Sequence, residues 1–281
     1  MTRPPGHGAA EGAAHAIGFS WQRVSALMLR HLYILMRSWP RVLDLAYWPT
    51  VQMLLWGFIT VFFQQHSSWV AEAAGVLISA VLLWDVLFRA NLGLSLSFLE
   101  EMWARNLGQL FVSPMRPSEL VAAMSLLSLI RTLISVSPAA VLALPLFDVW
   151  VFSLGPPLAA FFANLLVLGW TVGLVVSALV LRLGLGAENL AWVLIFAIAP
   201  LSGIYYPIET LPAWLQPVSW ALPSAYVFEG MRAVLFDDTF RWDLLAGALA
   251  LNAVYFAAAV AFFLRMIHVA RERGLLLQQG E

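Results

Sequence analysis

The sequence predicts an all-α polytopic membrane protein with six transmembrane helices. Hydrophobic residues make up 62% of the 281 residues, charged residues only 11%, and the mean hydropathy is +0.83, whereas soluble domains are about 25% charged. Several apolar stretches reach the roughly 20 residues that a helix needs to cross a bilayer. Cysteine is absent and the net charge is −1, so disulfides and thiolate metal sites are excluded and nucleic acid is not an expected partner.

The chain is expected to begin with a disordered cytosolic tail, 1–18, which is rich in Gly, Ala and His and has no signal-peptide pattern. Residues 19–39 are predicted to form an amphipathic helix on the membrane surface, because Arg23, Arg30 and Arg37 recur every seven residues and share one helical face. A short cytosolic helix packed on a partner protein is the alternative for the same periodicity.

A single transmembrane domain, 19–267, is expected to follow the tail, with a second cytosolic tail at 268–281. Charge-poor stretches within this domain predict the membrane spans. Their approximate bounds are 45–64, 73–98, 119–147, 157–181, 188–206 and 243–265.

Arginine placement predicts the orientation, because cytoplasmic flanks retain positive charge. Arginines precede the first span, separate the second from the third and the fourth from the fifth, and follow the sixth, whereas the alternate loops hold few arginines or an excess of acids. Both termini are therefore expected in the cytoplasm. The expected location is the cell inner (plasma) membrane.

The segment between the second and third spans predicts a short cytosolic helix that is acidic at its start. Glu101 and Arg105 stand four residues apart in the favourable helical order. Leu107, Leu110 and Phe111 form an apolar edge that suits docking into a groove of a partner. An ordinary solvated connector would show the same periodicity.

Residues 207–236 combine frequent prolines with apolar side chains. The prolines are too closely spaced for one helix, and the apolar residues are too many for a solvated loop. Such a segment predicts short re-entrant helices near the outer face, and a loop lying flat on the outer leaflet is the alternative. The candidate residues at this exit side are Pro207, Leu211, Pro212, Trp214, Pro223, Glu229 and Arg232.

Three charged residues fall inside predicted spans. Asp85 and Arg89 are four residues apart in the second span and Arg131 lies in the third. Because intramembrane charge is costly, the pair predicts either a polar lining of a substrate path or dimer seam, or a self-neutralised pair; Asp85 is also a possible partner of Arg131. The five histidines show no metal-ligand spacing and are expected at the surface.

Two sequence blocks carry motifs that are specific enough to compare with a known family. Residues 100–120 read EEMWARNLGQLFVSPMRPSEL, with an acidic start, an L-x-x-L pattern, Ser-Pro and a Glu before the third span. Residues 201–232 read LSGIYYPIETLPAWLQPVSWALPSAYVFEGMR, with Ser-Gly, Leu-Pro-x-Trp-Leu and a terminal Glu-x-x-Arg. Both blocks resemble the permease subunits of type-2 ABC exporters. The resemblance extends from about Phe19 to the C-terminus, and Leu222 departs from it where the family often has Asn.

This resemblance implies a division of labour between subunits. Such permeases work as dimers, here a homodimer or a pair with a close paralogue, on two copies of a separate ATPase subunit. ATP and Mg would bind on that ATPase and no cofactor on this chain, which has no lysine and therefore no Walker A motif. The resemblance implies a coupling helix at 100–112 with Glu100, Glu101 and Arg105, and an interface helix at 19–39.

The function expected is outward transport of an amphiphilic or lipid-like substrate, such as a drug, a lipid or a lipid-linked glycan, without catalysis by this chain. An ion-coupled secondary transporter is one alternative, although the sequence shows neither an internal repeat nor a chain of buried carboxylates. A non-catalytic membrane scaffold is the other. A gene for an ATPase beside this one would favour the ATP-driven transporter.

Overall fold

The structure, a computed structural model, describes residues 18–66 and 68–272, with side chains left undescribed at 63–75, 111–112 and 185. Of the expected tail at 1–18 only residue 18 is described. Of the expected tail at 268–281 only residues 268–272 are described, and they form the end of the last helix. The described chain is helical and contains no strand. Its α-helices are α1 (Trp21–Met36), α2 (Trp39–His66), α3 (Ser68–Trp103), α4 (Leu107–Val112), α5 (Pro117–Phe147), α6 (Pro156–Leu183), α7 (Leu190–Ile198), α8 (Gln216–Trp220), α9 (Pro223–Asp237) and α10 (Trp242–Glu272).

Five helices of the described chain are long and apolar enough to cross a membrane: α2, α3, α5, α6 and α10. They correspond to the first four and the last of the predicted spans. The stretch predicted as the fifth span, 188–206, instead holds a shorter apolar helix, Leu190–Leu201, that ends in a 3₁₀ turn containing Pro200. The chain is therefore a multi-pass membrane protein.

The centre of the bundle is formed by α3 and α6. In their most apolar windows, 83% of α3 and 78% of α6 is buried, against 22% for α2 and for α10. The outer helices α2 and α10 therefore present most of their surface outward, where lipid covers apolar side chains. Helices α5 and α2 pack against one side of the central pair, and α10 and α9 pack against α6.

Two glycines allow α3 and α6 to approach closely. A Cβ atom added at Gly169 would lie 2.5 Å from the Cβ of Ala90, and one at Gly173 would lie 3.0 Å from the carbonyl oxygen of Asn91. Small residues spaced four apart let membrane helices pack backbone to backbone. Gly169 meets Leu87 and Ala90, whereas Gly173, one turn later on α6, meets Asn91 and Leu94, which are later on α3. The two helices therefore run parallel and end at the same end of the bundle.

That end also receives the start of α5 and the end of α10, and we call it the network end because its charged residues interact across helices. The opposite end, called the far end, holds the turn between α5 and α6 and the segment 202–242. Asp148 closes α5 there in a left-handed conformation (φ 56°), and Gly155 (φ 62°) precedes Pro156 at the start of α6.

The proline-rich segment at the far end is broken into short helices, as the proline spacing predicts. Pro217 and Pro223 stand in the first turns of α8 and α9, where a missing N–H costs no hydrogen bond. The Tyr255 hydroxyl donates a hydrogen bond of 2.9 Å to the carbonyl oxygen of Ala221. Since Tyr255 lies about 20 Å along α10 from Trp242 at a 1.5 Å rise per residue, α9 begins deep within the bundle and runs toward the far end.

Candidate functional site

Glu119 joins α1 to the first turn of α5 at the network end. Its carboxylate is fully buried and accepts hydrogen bonds from Arg23 (2.6 Å from Nη2 and 2.8 Å from Nε) and from the backbone N–H groups of Ser20 (2.8 Å) and Arg116 (2.9 Å). The hydrogen bonds between the Arg23 side chain and Glu119 raise the pKa of Arg23 above its usual value. One carboxylate thus satisfies the start of two helices and holds them together.

A second group of charges connects α1 to the end of α3. Glu101 is 1% exposed and pairs with Arg30, and its Oε1 lies 2.8 Å from His31 Nε2. Glu100, which is partly exposed, lies 3.7 Å from His31 Nδ1 and 3.2 Å from Arg131 Nη2. Burial lowers the pKa of Arg30, which remains charged because arginine titrates far above neutral pH.

The arginine stripe of α1 lies at the edge of the face that packs on the bundle, and the side chains of Arg23 and Arg30 are 20% and 42% exposed. Val24, Leu27 and Leu35 are buried against the bundle, while Arg23 and Arg30 reach across to the acids of α5 and α3. Arg30 and Arg37 are both exposed, and of the three stripe arginines Arg37 has no ion-pair partner among the described residues. His31 is 4% exposed, so the expectation that it lies at the surface is wrong. The physical reason is that its two ring nitrogens lie 3.7 and 2.8 Å from the carboxylates of Glu100 and Glu101 on α3, which compensate for the loss of water.

The predicted helix at 100–112 is two helices separated by a sharp turn. Arg105 adopts the left-handed conformation (φ 54°), and the N–H groups of Arg105 and Asn106 donate to the carbonyl oxygens of Met102 and Glu101 at 2.9 and 3.0 Å. This pattern is a Schellman motif that ends α3. Glu101 and Arg105 therefore do not form the expected pair on one helix face, because the helix ends between them.

Burial also changes the expected roles within this segment. Leu107 is 0% exposed and belongs to the core with Phe98 and Leu120, so it is not available for docking to a partner. Leu110 is partly buried, and the side chain of Phe111 lies outside the described residues. The exposed surface of the turn consists of Trp103, Ala104, Arg105 and Gln109, of which the sequence analysis selected only Arg105.

A cavity of about 840 Å³ runs along α3 from the network end toward the centre of the membrane. Its walls come from α1, α2, α3, α5 and α7. Charged wall residues are Arg41, Asp44, Asp85, Arg89, Glu100 and Arg131, and aromatic ones include Trp48, Phe88, Trp192 and Phe196. Since Asp85 and Glu100 stand fifteen positions apart on one helix, this cavity extends for about 22 Å.

Asp85 and Arg89 line this cavity with incomplete hydrogen bonding. They are 4% and 7% exposed, and within the described chain no ion pair of 4.0 Å or less joins them. Oδ2 of Asp85 and the Nε and Nη2 of Arg89 are buried without a hydrogen-bond partner in the structure. Buried polar groups of this kind are costly unless they are satisfied, so these atoms are available to water or to a polar group of a ligand.

Arg131 does not pair with Asp85. Its Nη1 donates to Ser97 Oγ at 3.1 Å and its Nη2 to Glu100 Oε2 at 3.2 Å. A side chain on a helix leans toward the helix start, and the start of α5 is at the network end. The Arg131 side chain therefore points toward Glu100 and away from Asp85. It joins the charged network of Glu100 and also lines the cavity.

Helix α7 closes one side of the cavity. The Nδ2 of Asn91, a residue of α3 with no exposed surface, donates a hydrogen bond of 3.1 Å to the carbonyl oxygen of Ala191. Trp192 and Phe196 stand one turn apart on α7 with ring centroids 5.6 and 6.0 Å from that of Phe88. The sequence analysis did not select these residues. Aromatic residues four positions apart on an apolar helix occur equally on core-facing and lipid-facing surfaces, so their spacing does not predict a cavity wall.

At the far end, Glu229 and Arg232 of α9 hold the preceding segment in place. Glu229 Oε1 accepts hydrogen bonds of 2.8 Å from the N–H of Ile208 and from Arg232 Nη2. Arg232 also packs beside Gly203, where φ is +67° and an added Cβ would meet its Nη2 at 3.2 Å. Of the other exit-side residues, Pro207, Pro212 and Trp214 are exposed, Leu211 is partly buried and Pro223 is buried.

The described residues thus form an apolar helical membrane bundle with a charged, aromatic cavity. A model of the ABC-2 type transporter family matches residues 24–236. The chain therefore belongs to the ABC-2 type transporter family and is a membrane permease of the ABC transporter class, whose ATPase is a separate partner. No curated protein matches the chain in sequence.

Proposed function

We propose that this chain is the permease subunit of an ATP-driven ABC exporter that moves an amphiphilic or lipid-like substrate outward from the cytoplasmic side. In this proposal the chain lies in the cell inner membrane with both termini in the cytoplasm. It pairs with a second copy or a close paralogue, and two copies of an ATPase subunit bind ATP and Mg. The network end then faces the cytoplasm.

The observation that carries this proposal is the mixed chemistry of the 840 Å³ cavity. Aromatic rings of Phe88, Trp192 and Phe196 supply apolar wall, while Asp85 and Arg89 present unsatisfied polar atoms to the same space. A ligand with an apolar body and a polar group matches both parts of such a wall. Intramembrane ionisable residues that face a cavity mark substrate pathways.

The geometry of α3 supports a mechanical link between this cavity and an ATPase. One continuous helix carries Asp85 and Arg89 in the cavity and ends at the exposed turn of Trp103 and Arg105. In the proposal this turn, with α4, contacts the ATPase, and the Arg30–Glu101 and Arg23–Glu119 pairs make α1 move with α3 and α5. A shift of the turn is then transmitted along α3 to the cavity wall.

The proposal assigns the fifth crossing to α7 together with the segment that follows it. Tyr205 stacks on Trp56 of α2 with ring centroids 4.6 Å apart. Because Trp56 lies well past the start of α2 at Trp39, the chain has passed from the network end toward the far end by Tyr205. The depth of Ala221 beside Tyr255 supports a re-entrant path for α8 and α9, which would narrow the exit at the far end. Burial of Pro223, Ser224 and Ala225 at the start of α9 makes the break in the helix there tolerable in the membrane.

The test is ATP hydrolysis by the complex with its ATPase, reconstituted in liposomes and challenged with a panel of lipids, glycolipids and drugs. We expect one class of amphiphile to stimulate hydrolysis and to be transported into inside-out vesicles. Asp85→Asn and Arg89→Gln should reduce that stimulation about tenfold or more, as expected for the loss of about 1.5–3 kcal/mol of charged hydrogen bonding. Asp148→Asn, at the far-end turn outside the cavity, is the matched control.

Different results would reject the proposal. Transport by the purified chain without any ATPase would place it with ion-coupled transporters, and the absence of both transport and stimulated hydrolysis across the panel would favour a scaffold. Equal loss of folded protein and of transport in Asp85→Asn would assign Asp85 a structural role.

A further inference from the structure

A second cavity, of about 520 Å³, lies between the ends of α6 and α10 at the network end. Its walls combine two arginines, Arg182 and Arg265, with apolar residues, and no acidic side chain lines it among the described residues. The apolar part is formed by Leu181, Leu183, Phe262, Met266 and Val269. This cavity shares no lining residue with the larger one along α3.

Arg182 and Arg265 differ from the paired arginines at this end in having no carboxylate partner among the described residues. Arg23, Arg30 and Arg131 pair with Glu119, Glu101 and Glu100. Arg182 and Arg265 are exposed and make no ion pair or side-chain hydrogen bond in the part of the chain that the structure describes. Two guanidinium groups facing one cavity repel each other unless an anion lies between them, and phosphate accepts bidentate hydrogen bonds from such groups.

The location of the cavity indicates where the anion comes from. Arg182 is in the last turn of α6, the level at which a membrane-spanning helix meets the lipid headgroups. Helix α10 is an outer helix, with only 22% of its apolar window buried, so this side of the bundle faces lipid. Phe262 and Val269 line the cavity along α10, where an acyl chain can lie against them.

We propose that this cavity binds one anionic phospholipid, whose phosphate lies between Arg182 and Arg265 and whose acyl chain follows the apolar wall of α10. Basic pockets between transmembrane helices are suited to anionic headgroups. A bound lipid would neutralise the two arginines and fill the gap between α6 and α10. The proposal concerns a surface remote from the transport cavity and does not depend on the substrate.

Native mass spectrometry of the detergent-solubilised chain, titrated with phosphatidylglycerol or phosphatidylcholine, tests this site. We expect one phosphatidylglycerol to bind more tightly than phosphatidylcholine. The double variant R182Q/R265Q should bind it about 30-fold more weakly, because each arginine beside an anionic headgroup contributes about a fivefold gain in affinity. The single variants should lie between these values.

Arg37→Gln is the matched control, since Arg37 is an exposed arginine of the same end that lines neither cavity and has no ion-pair partner in the described residues. It should leave the affinity for phosphatidylglycerol within about twofold of the wild type, as expected for one surface charge outside the site. Glycerol phosphate, which has the anion but no acyl chain, should not compete at equal concentration.

Three results would overturn the proposal. Equal affinity of the wild type and R182Q/R265Q would show that the arginines do not hold the lipid, and competition by glycerol phosphate would replace the lipid with a soluble phosphate. If the double variant lost its ATPase or its second copy from the purified complex while lipid affinity stayed unchanged, a protein surface would be the occupant. Hydrogen exchange of α10 provides a check on folding.

Discussion

Two buried glutamates anchor α1 to the rest of the protein. Glu119 accepts hydrogen bonds from Arg23 and from two backbone N–H groups, and Glu101 pairs with Arg30. A buried carboxylate is stable only when several donors surround it. Because these donors come from α1 and from the starts of helices, the charge of each glutamate is coupled to the position of α1.

The substitution Glu119→Gln should loosen α1. Loss of the negative charge weakens the hydrogen bonds from Arg23 by about 1.5–3 kcal/mol, and α1 should then open about 10- to 100-fold more often. Hydrogen exchange of the α1 amides measures this opening. Asp243→Asn is the control, because its partner Arg241 and Asp243 itself are more than half exposed and such pairs contribute little. Unchanged exchange in α1 would contradict the anchoring role.

At the scale of elements, the turn that ends α3 separates residues that hold the fold from residues that are free to contact a partner. Leu107 is buried in the core immediately after the turn, whereas Arg105 is exposed within it. The left-handed backbone at Arg105 is a conformation that glycine adopts without strain. The two positions therefore respond differently to substitution although they are only two residues apart.

Arg105→Gly should preserve the fold and weaken association with the ATPase. Glycine fits the left-handed position that ends α3, so thermal unfolding should be unchanged or slightly raised, while the lost side chain should lower co-purification of the ATPase severalfold. Leu107→Asp should instead unfold the protein, because burying an unpaired carboxylate among Phe98 and Leu120 costs several kcal/mol. Wild-type recovery of the ATPase with Arg105→Gly would exclude a docking role for this side chain.

At the scale of the whole molecule, the charges divide unequally between the two ends. The network end gathers Arg23, Arg30, Arg182 and most other arginines, and the far end has Arg232 and Arg241 beside an excess of acids. Positive charge is retained on the cytoplasmic side during insertion. The unequal distribution of charge is therefore consistent with the proposed orientation, in which the network end faces the cytoplasm.

Single cysteines test this orientation without background, because the native chain contains none. Gln109→Cys places a thiol on the exposed surface of α4, and Ala213→Cys places one on the exposed far-end segment. A membrane-impermeant maleimide added to intact cells should label Ala213→Cys at once and Gln109→Cys only after the membrane is opened. The reverse pattern would invert the topology.

The sequence alone determined the class of the fold, the long spans and the breaks in the far-end segment. Hydrophobic length, arginine placement and proline spacing act locally along the chain, so they can be interpreted without contacts. For the same reason, the placement of Asp85 and Arg89 on one face of α3 could be anticipated from their spacing of four residues.

Only the tertiary structure decided which charges meet and which apolar residues are buried. Arg23 finds Glu119 across 96 positions of sequence, His31 is enclosed by two glutamates of α3, and Leu107 belongs to the core. Helix α7 forms one wall of the cavity, and its position depends on the hydrogen bond from Asn91 to the carbonyl oxygen of Ala191. Long-range contacts of this kind follow from how the helices pack. Helical periodicity shows which residues share a face of a helix, but it does not show which other helix packs against that face.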